Sequence, residues 1–311
     1  MSNHVAKHAS GLNQLLVDEN IDAEITLDEP AVTHTTYQCG GNFKYFATAN
    51  TISALQQILR TCAASGVDVF IIGKGSNLLV SDDGFDGMVV QLGVDFRHAK
   101  LDETKTRIIA GAGVAFAKVS QMAYSNNLSG LEFSVGIPGT IGGALGMNAG
   151  TGGVGLCDVV SSVSILEKSN NWSLTKMTKE NFSHGYHQSS ITDYGIAVEC
   201  EIPLTKTVTS NLKNAMEEKL RKRNESQPLG HNCGSVFKNP EGDSAGRLIE
   251  ECGLKGKRIG GAEISQLHAN FFPNVDDAKA QDVMSLIRLA QRQVKAKFGI
   301  CLEPEVQFLG F

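Results

Sequence analysis

Residues 136–150 read Gly-Ile-Pro-Gly-Thr-Ile-Gly-Gly-Ala-Leu-Gly-Met-Asn-Ala-Gly, six glycines and one proline in fifteen positions with no charged side chain. Each interior glycine costs a helix about 0.5–1 kcal/mol relative to alanine, so the run predicts no stable helix. It is too apolar for a solvated linker, which would be rich in serine and charge. Two readings stay open. Either ordered backbone passes close to something bulky and leaves its N–H groups free to bond it, or the run is a tight structural loop on a sheet. A cofactor with a diphosphate and a large flat ring suits the first.

A second glycine segment, Gly73-Lys74-Gly75-Ser76-Asn77, follows an apolar stretch at 67–72 that reads as a buried strand. Its small residues let successive N–H groups turn into one concavity, an anion nest; a plain turn is the alternative. The spacing is not GxGxxG, and Leu78-Leu79-Val80 reads as strand, so an ordinary dinucleotide crossover is disfavoured.

The surrounding chain is that of an ordinary globular protein. It has 311 residues, 41% hydrophobic and 20% charged, with a formal charge of −5. That length accommodates two or three compact units. The acidic balance with no long basic stripe argues against nucleic-acid binding. No apolar run reaches the roughly 18 residues of a spanning helix, and residues 1–16 lack a signal-peptide core, so no membrane insertion is expected. Cysteines 39, 62, 157, 200, 233, 252 and 301 are scattered and never spaced CxxC. That pattern predicts neither a disulfide framework nor a metal site, and suits a reducing cytoplasm.

The first 30 or so residues read as a short amphipathic helix with a polar lead-in. Apolar positions 52, 55, 58, 59 and 62 mark a helix that Gly66 ends. Strands are expected at 88–92 and 107–110, a helix at 115–126, and strands at 159–166 and 196–202. A charged helix at 212–223 leads to Gln227-Pro228, a natural boundary. Beyond it, Ser244 is placed to cap a helix ended by Gly253, and Asp276 or Asp277 to cap a longer helix closed by Gly299. A last strand is expected at 303–309. The fold class is therefore α+β, with a lead-in at 1–30, one domain at 31–206 and a second at 207–311.

Four segments in order, IGKGSNLLVSDDGFDG (72–87), GLEFSVGIPGTIGGALGMNAG (130–150), GSVFKNP (234–240) and GLKGKRIGGAEISQLHANF (253–271), carry a resemblance. Together they resemble the UDP-N-acetylenolpyruvoylglucosamine reductases of peptidoglycan precursor synthesis, in the subclass lacking the extra tyrosine-bearing loop. The resemblance implies a two-lobed, non-covalent FAD-binding domain of the vanillyl-alcohol-oxidase (PCMH) type and a C-terminal α+β substrate domain. NADPH would reduce the flavin, and hydride would then pass to C3 of the enolpyruvyl group while C2 gains a proton. Cofactor contacts would come from Gly73, Lys74, Gly75, Ser76, Asn77, Gly136, Ile137, Pro138, Gly139, Thr140, Gly142, Gly143, Asn148, Ala149 and Gly150. Partners would be the UDP-sugar and NADPH, in a cytoplasmic monomer or weak oligomer.

By the same resemblance Ser235 is the proton donor, although a serine before Lys-Asn-Pro also suits a turn. Lys238, Asn239, Tyr186 and His268 would touch substrate; Lys238 also reads as a solvated lysine. The family glutamate aligns with Glu305, and Glu303 is the alternative two residues away. Alternating glutamates can also mark the wet face of a strand. One departure falls on the chemistry. Where the family has Tyr-Arg-x-Ser, this chain has Tyr186-His187-Gln188-Ser189. Arginine is permanently charged and grips a carboxylate with two bonds, whereas histidine is mostly neutral at pH 7. Three explanations are open: a protonated His187, substitution by Arg247, Lys257 or Arg258, or a non-catalytic or altered-specificity FAD-binding homologue. A second departure, Tyr37-Gln38-Cys39 before Gly40-Gly41, lies where the family has a basic or polar residue.

Overall fold

The computed structural model describes residues 21–311. The short amphipathic helix expected at the N-terminus falls on a stretch that lies largely outside the described residues, and the end of the lead-in is the strand Ala23–Pro30. Two compact units divide the chain. The first holds the described residues up to Leu27, Tyr45–Gly73 and Gly87–Leu220; the second holds Asp28–Lys44, Lys74–Asp86 and Arg221–Phe311. The units do not follow chain order, because two early segments join the C-terminal third.

The first unit has two cores, one for each lobe. In one, the helix Ile52–Ser65 buries Ala54, Leu55, Ile58, Leu59 and Cys62, one apolar stripe at helical spacing. Thr51 caps it by accepting a bond from Ala54 N at 3.2 Å, and Gly66 closes it at φ +67°. This stripe meets Met88, Val90 and Leu92 from the strand Phe85–Leu92, which pairs in parallel with Val69–Ile72. Each such aliphatic side chain contributes about 1.5–3 kcal/mol on burial. The other core lies under an antiparallel five-stranded sheet ordered Ser173–Thr178, Ser162–Glu167, Gly195–Pro203, Arg107–Gly111 and Ala99–Leu101. Phe116, Val119 and Ala123 of the helix Phe116–Ser125 enter this core, with Ile141 and Leu145 from the glycine run.

The second unit packs the helices Ala245–Glu251 and Ala280–Phe298 around Tyr37, Leu79, Val236, Phe237 and Phe272. Its strand Leu78–Val80 pairs in parallel with Gln307–Leu309, the C-terminal strand, which is shorter than the expected 303–309. The long helix starts later than expected. Lys279, not Asp276 or Asp277, holds the N-cap position. The free N–H groups of Ala280 and Gln281 donate to the two carboxylate oxygens of Asp82 at 2.9 and 3.0 Å. All seven cysteines are free thiols.

Candidate functional site

The glycine run does contain a helix, contrary to expectation: Ile141–Gly146. Three things offset the glycine cost. Thr140 caps it by accepting a bond from Gly143 N at 3.3 Å, Gly142 N donates to Ala112 O at 2.7 Å, and Ile141, Ala144 and Leu145 are buried. A Cβ on Gly142 would stand 3.1 Å from Ala112 O, tight enough that Ala112 would have to shift by a few tenths of an ångström. Before the helix, Gly136 and Gly139 are left-handed at φ +74° and +105°. Within this unit Gly73 approaches the run closely, since a Cβ there would lie 2.6 Å from Thr140 Oγ1.

Asn148 is expected to touch cofactor, yet its side chain is engaged within the protein. Its Nδ2 donates to Gly185 O at 2.9 Å, and its Oδ1 accepts from Cys157 N at 2.9 Å. It thereby ties the end of the glycine run to the hairpin His184–Gly185 and Gln188–Ser189. Tyr186 and His187 are the two residues at that hairpin's tip, edge to face with centroids 4.2 Å apart. His187 is left-handed at φ +50°, an uncommon conformation for a side chain of this size. The base of the hairpin is fixed by His184 Nε2, 3.0 Å from Asp158 Oδ1.

In the second unit the loop 74–77 leans on residues 34–36. Gly75 is left-handed at φ +58°, and a Cβ there would fall 2.2 Å from His34 O. Thr36 N donates to Gly75 O at 3.2 Å. Thr35 Oγ1 and Asn77 Oδ1 are buried without a protein hydrogen-bond partner. An unsatisfied buried polar atom costs roughly 1–3 kcal/mol. A loop turned left-handed at a glycine, with two unsatisfied buried polar atoms beside it, fits a large polar cofactor such as FAD.

The other face of Asn77 reaches the chemistry. Its Nδ2 donates to Glu305 O at 3.0 Å, and Gln307 N donates to Asn77 O at 3.0 Å. Glu305 N donates to Val236 O at 2.8 Å and Lys238 N to Glu303 O at 2.9 Å, around an antiparallel bridge between Phe237 and Pro304. Lys238 and Glu305 are thus fixed by one short strand pair, and Ser235 comes one residue before it. Sequence reasoning missed the residue that clamps it. Asn270, almost fully buried, accepts from Phe237 N through Oδ1 at 3.0 Å and returns Nδ2 to Phe237 O at 2.8 Å; its backbone carbonyl accepts from Val236 N. The available signal was an asparagine between Ala269 and Phe271-Phe272 in an apolar run.

Ser235 lines a cavity of about 300 Å³ with Asn239, Ser244, Arg247, Glu250 and His268. His268 Nδ1 accepts from Asn270 N at 3.2 Å, and burial, aided by the charge of Lys255, pushes its pKa down. It is a neutral imidazole with the proton on Nε2, a tautomer assigned from that bond. Asn239 Oδ1 accepts from Ala245 N at 3.0 Å, at the start of the short helix. Arg247 is bound through both Nε and Nη2 to Asp243, whose carboxyl is held at about 2 by that guanidinium. Arg258 lies 3.7 Å from Glu263 and 4.0 Å from Asp276. These two candidates for the arginine's role already have anionic partners.

The glutamates separate cleanly. Glu303 is exposed and paired with Lys238 Nζ at 2.5 Å. Glu305 is largely buried, and burial pushes its carboxyl up to about 7 against the opposing pull of Lys238. Glu305 has the environment of a group that changes protonation near neutral pH.

Residues 225–309 match the family described as UDP-N-acetylenolpyruvoylglucosamine reductase, C-terminal domain, and residues 43–170 match the family described as FAD binding domain. The UDP-N-acetylenolpyruvoylglucosamine reductase of Clostridium tetani (strain Massachusetts / E88) is 38% identical over 99% of this chain and 98% of its own length. UDP-N-acetylenolpyruvoylglucosamine reductase 2 of Bacillus cereus (strain ATCC 10987 / NRS 248) is 38% identical over 93% of the chain and 94% of its own. The crystal structure of UDP-N-acetylenolpyruvylglucosamine reductase (MurB) from Thermus caldophilus superposes with a TM-score of 0.79 at 33% identity, covering 93% of this chain and 99% of that one. The chain belongs to the UDP-N-acetylenolpyruvoylglucosamine reductase family.

Proposed function

We propose that this chain uses FAD and NADPH to reduce the enolpyruvyl group of UDP-N-acetylglucosamine enolpyruvate, giving UDP-N-acetylmuramate. The family membership carries this reading. Bound FAD would supply the hydride chemistry, with NADPH as the source and C3 of the enolpyruvyl double bond as the destination. The chain's own residues do the rest. The glycine segments at 73–77 and 136–150 hold the cofactor through backbone, and Ser235 Oγ gives its proton to C2 as the double bond closes. Protonated Glu305 donates to the enolate oxygens that gain charge before that proton arrives. His187, as a cation, binds the substrate carboxylate beside Tyr186, while Lys238, Asn239 and His268 contact the sugar and diphosphate. The net change is one hydride and one proton added across C2=C3.

The functional division is a FAD-binding domain at 31–206 and a substrate domain at 207–311. A product destined for peptidoglycan ties the chain to cell-wall biogenesis, cell shape and division. A nucleotide-sugar substrate, free thiols and the absence, among the described residues, of a helix able to cross a membrane support a cytoplasmic monomer or weak oligomer.

Stopped-flow absorbance tests the reaction. NADPH should bleach the flavin, and the enolpyruvyl substrate should restore its colour; bleaching with no substrate-driven recovery would sink the proposal. Gly75→Ala should weaken FAD binding at least tenfold by fluorescence titration, because its Cβ collides with the His34 carbonyl. Gly66→Ala is the control: at φ +67° it bears the same left-handed strain with nothing within 4 Å.

His187→Arg reads the role of the hairpin tip. It should lower KM for the enolpyruvyl substrate about tenfold at alkaline pH, where a histidine has lost its charge, and leave kcat little changed. An unchanged KM across pH would assign the carboxylate to Lys257 or another cation.

A further inference from the structure

Glu303 carries no part of the reaction described above, yet its position is specific. The bridge between Phe237 and Pro304 sets Lys238 directly opposite Glu303 and Val236 opposite Glu305. In an antiparallel pair the residue two places along lies on the same face as the direct partner, roughly 7–8 Å away diagonally. Lys238 therefore stands between two carboxylates, Glu303 straight across and Glu305 on the diagonal. Its ammonium is on Glu303, at 2.5 Å. An ion pair whose glutamate is 70% exposed contributes little to stability, typically 0–1 kcal/mol. Its consequence lies in where it leaves the lysine's charge.

We infer that Glu303 is a positioning residue for this reaction: by holding the Lys238 ammonium in the direct cross-strand pair, it keeps that charge off the Glu305 carboxyl. Three neighbouring groups add no charge beside Glu305. Cys233 comes from the loop before Ser235, and behind it lie Tyr37 and Cys39. Burial pushes both thiols up to about 12 and the phenol above its ordinary value, so all three are neutral at neutral pH. Asn77 touches only the backbone carbonyl of Glu305, through a neutral amide. Lys238 draws the proton off Glu305, and Glu303 restrains Lys238. With Glu303 neutralised, Lys238 would turn to the diagonal carboxylate, which would then ionise at lower pH.

The inference rests on Glu305 being the acid of the site, and its test reads the carboxyl directly. Holoenzyme labelled with carboxyl-¹³C glutamate is titrated by NMR, the Glu305 resonance being assigned by its loss in Glu305→Gln. In Glu303→Gln the midpoint of Glu305 should fall by at least about one pH unit, a tenfold loss of proton affinity. Glu303→Asp, which keeps the pair, should stay within about 0.3 unit of wild type. Removing a carboxylate also lowers a neighbour's pKa directly, so the cycle is completed in a Lys238→Met background. There Glu303→Gln should lower the midpoint only by that direct effect, clearly less than in the single variant. An unmoved midpoint in the single variant, or an equal fall in both backgrounds, would overturn the inference. Turnover in Glu305→Gln is scored separately: unimpaired turnover defeats the reading of Glu305 as acid and leaves the titration standing.

Discussion

Replacing Ser235 with alanine should leave the bleaching of bound FAD by NADPH at its wild-type rate and slow substrate-driven recovery by about 10²–10⁴-fold, the usual worth of a placed general acid. The asymmetry follows from the chemistry: flavin reduction by NADPH calls for no proton at C2, and only the second half-reaction does. Ser235 lies just before the strand pair that carries Glu305 and lines a cavity with His268 and Asn239. A serine is a weak acid, so it can protonate C2 only when the accepting carbon carries developed negative charge and the hydroxyl is held against it. The Asn270 clamp supplies the rigidity, with two side-chain bonds to Phe237 and a backbone bond to Val236. Equal slowing of both half-reactions would refute a donor role. Wild-type recovery in the variant would assign the proton to solvent.

How much of this was legible in the sequence depended on how local its cause was. The helix Ile52–Ser65 is written in adjacent residues, from the Thr51 cap through the apolar stripe to Gly66, and the structure follows them. The glycine run was half legible. Its composition implies close backbone approach, and Gly142 against Ala112 is that approach. Its helix was hidden, because the partners that stabilise it are thirty residues or so upstream in sequence. The start of Ala280–Phe298 was hidden for the same reason: its terminal N–H groups are satisfied by Asp82, about two hundred residues earlier. No local pattern announces such a cap.

The site divides in the same way. The loops and Ser235 come from motifs. The alignment of a short motif favours Glu305 over Glu303, and burial sets the two apart. Asn148 comes with the family resemblance, and in the structure its side-chain amide joins Gly185 to Cys157. His187 remains the real departure. The hairpin that presents it is intact, so the change is one of charge rather than of scaffold.

Glu305→Gln should reduce the substrate-driven half-reaction by about 10²–10³-fold, the usual loss when one donor to a developing oxyanion is weakened, and should abolish its alkaline limb. Activity in the wild type requires the neutral acid. With the carboxyl at about 7, the protonated fraction, and the rate with it, should fall tenfold per unit well above pH 7. Glutamine keeps a donor but has no proton to lose, so its slower rate should be level through that region. Stability supplies a second readout with its own sign. A carboxyl held at about 7 in the folded chain and 4.5 when unfolded binds more protons in the native state between those values. Its contribution is therefore complete below pH 4.5 and is lost as pH rises toward 7, by at most about 3 kcal/mol before solvent screening. Denaturant titrations at pH 5 and pH 8 should show the wild type losing more stability than Glu305→Gln over that interval. A variant that kept the wild-type alkaline limb would place the controlling proton elsewhere. An unchanged stability difference would mean that the carboxyl is already ionised in the native state at pH 5.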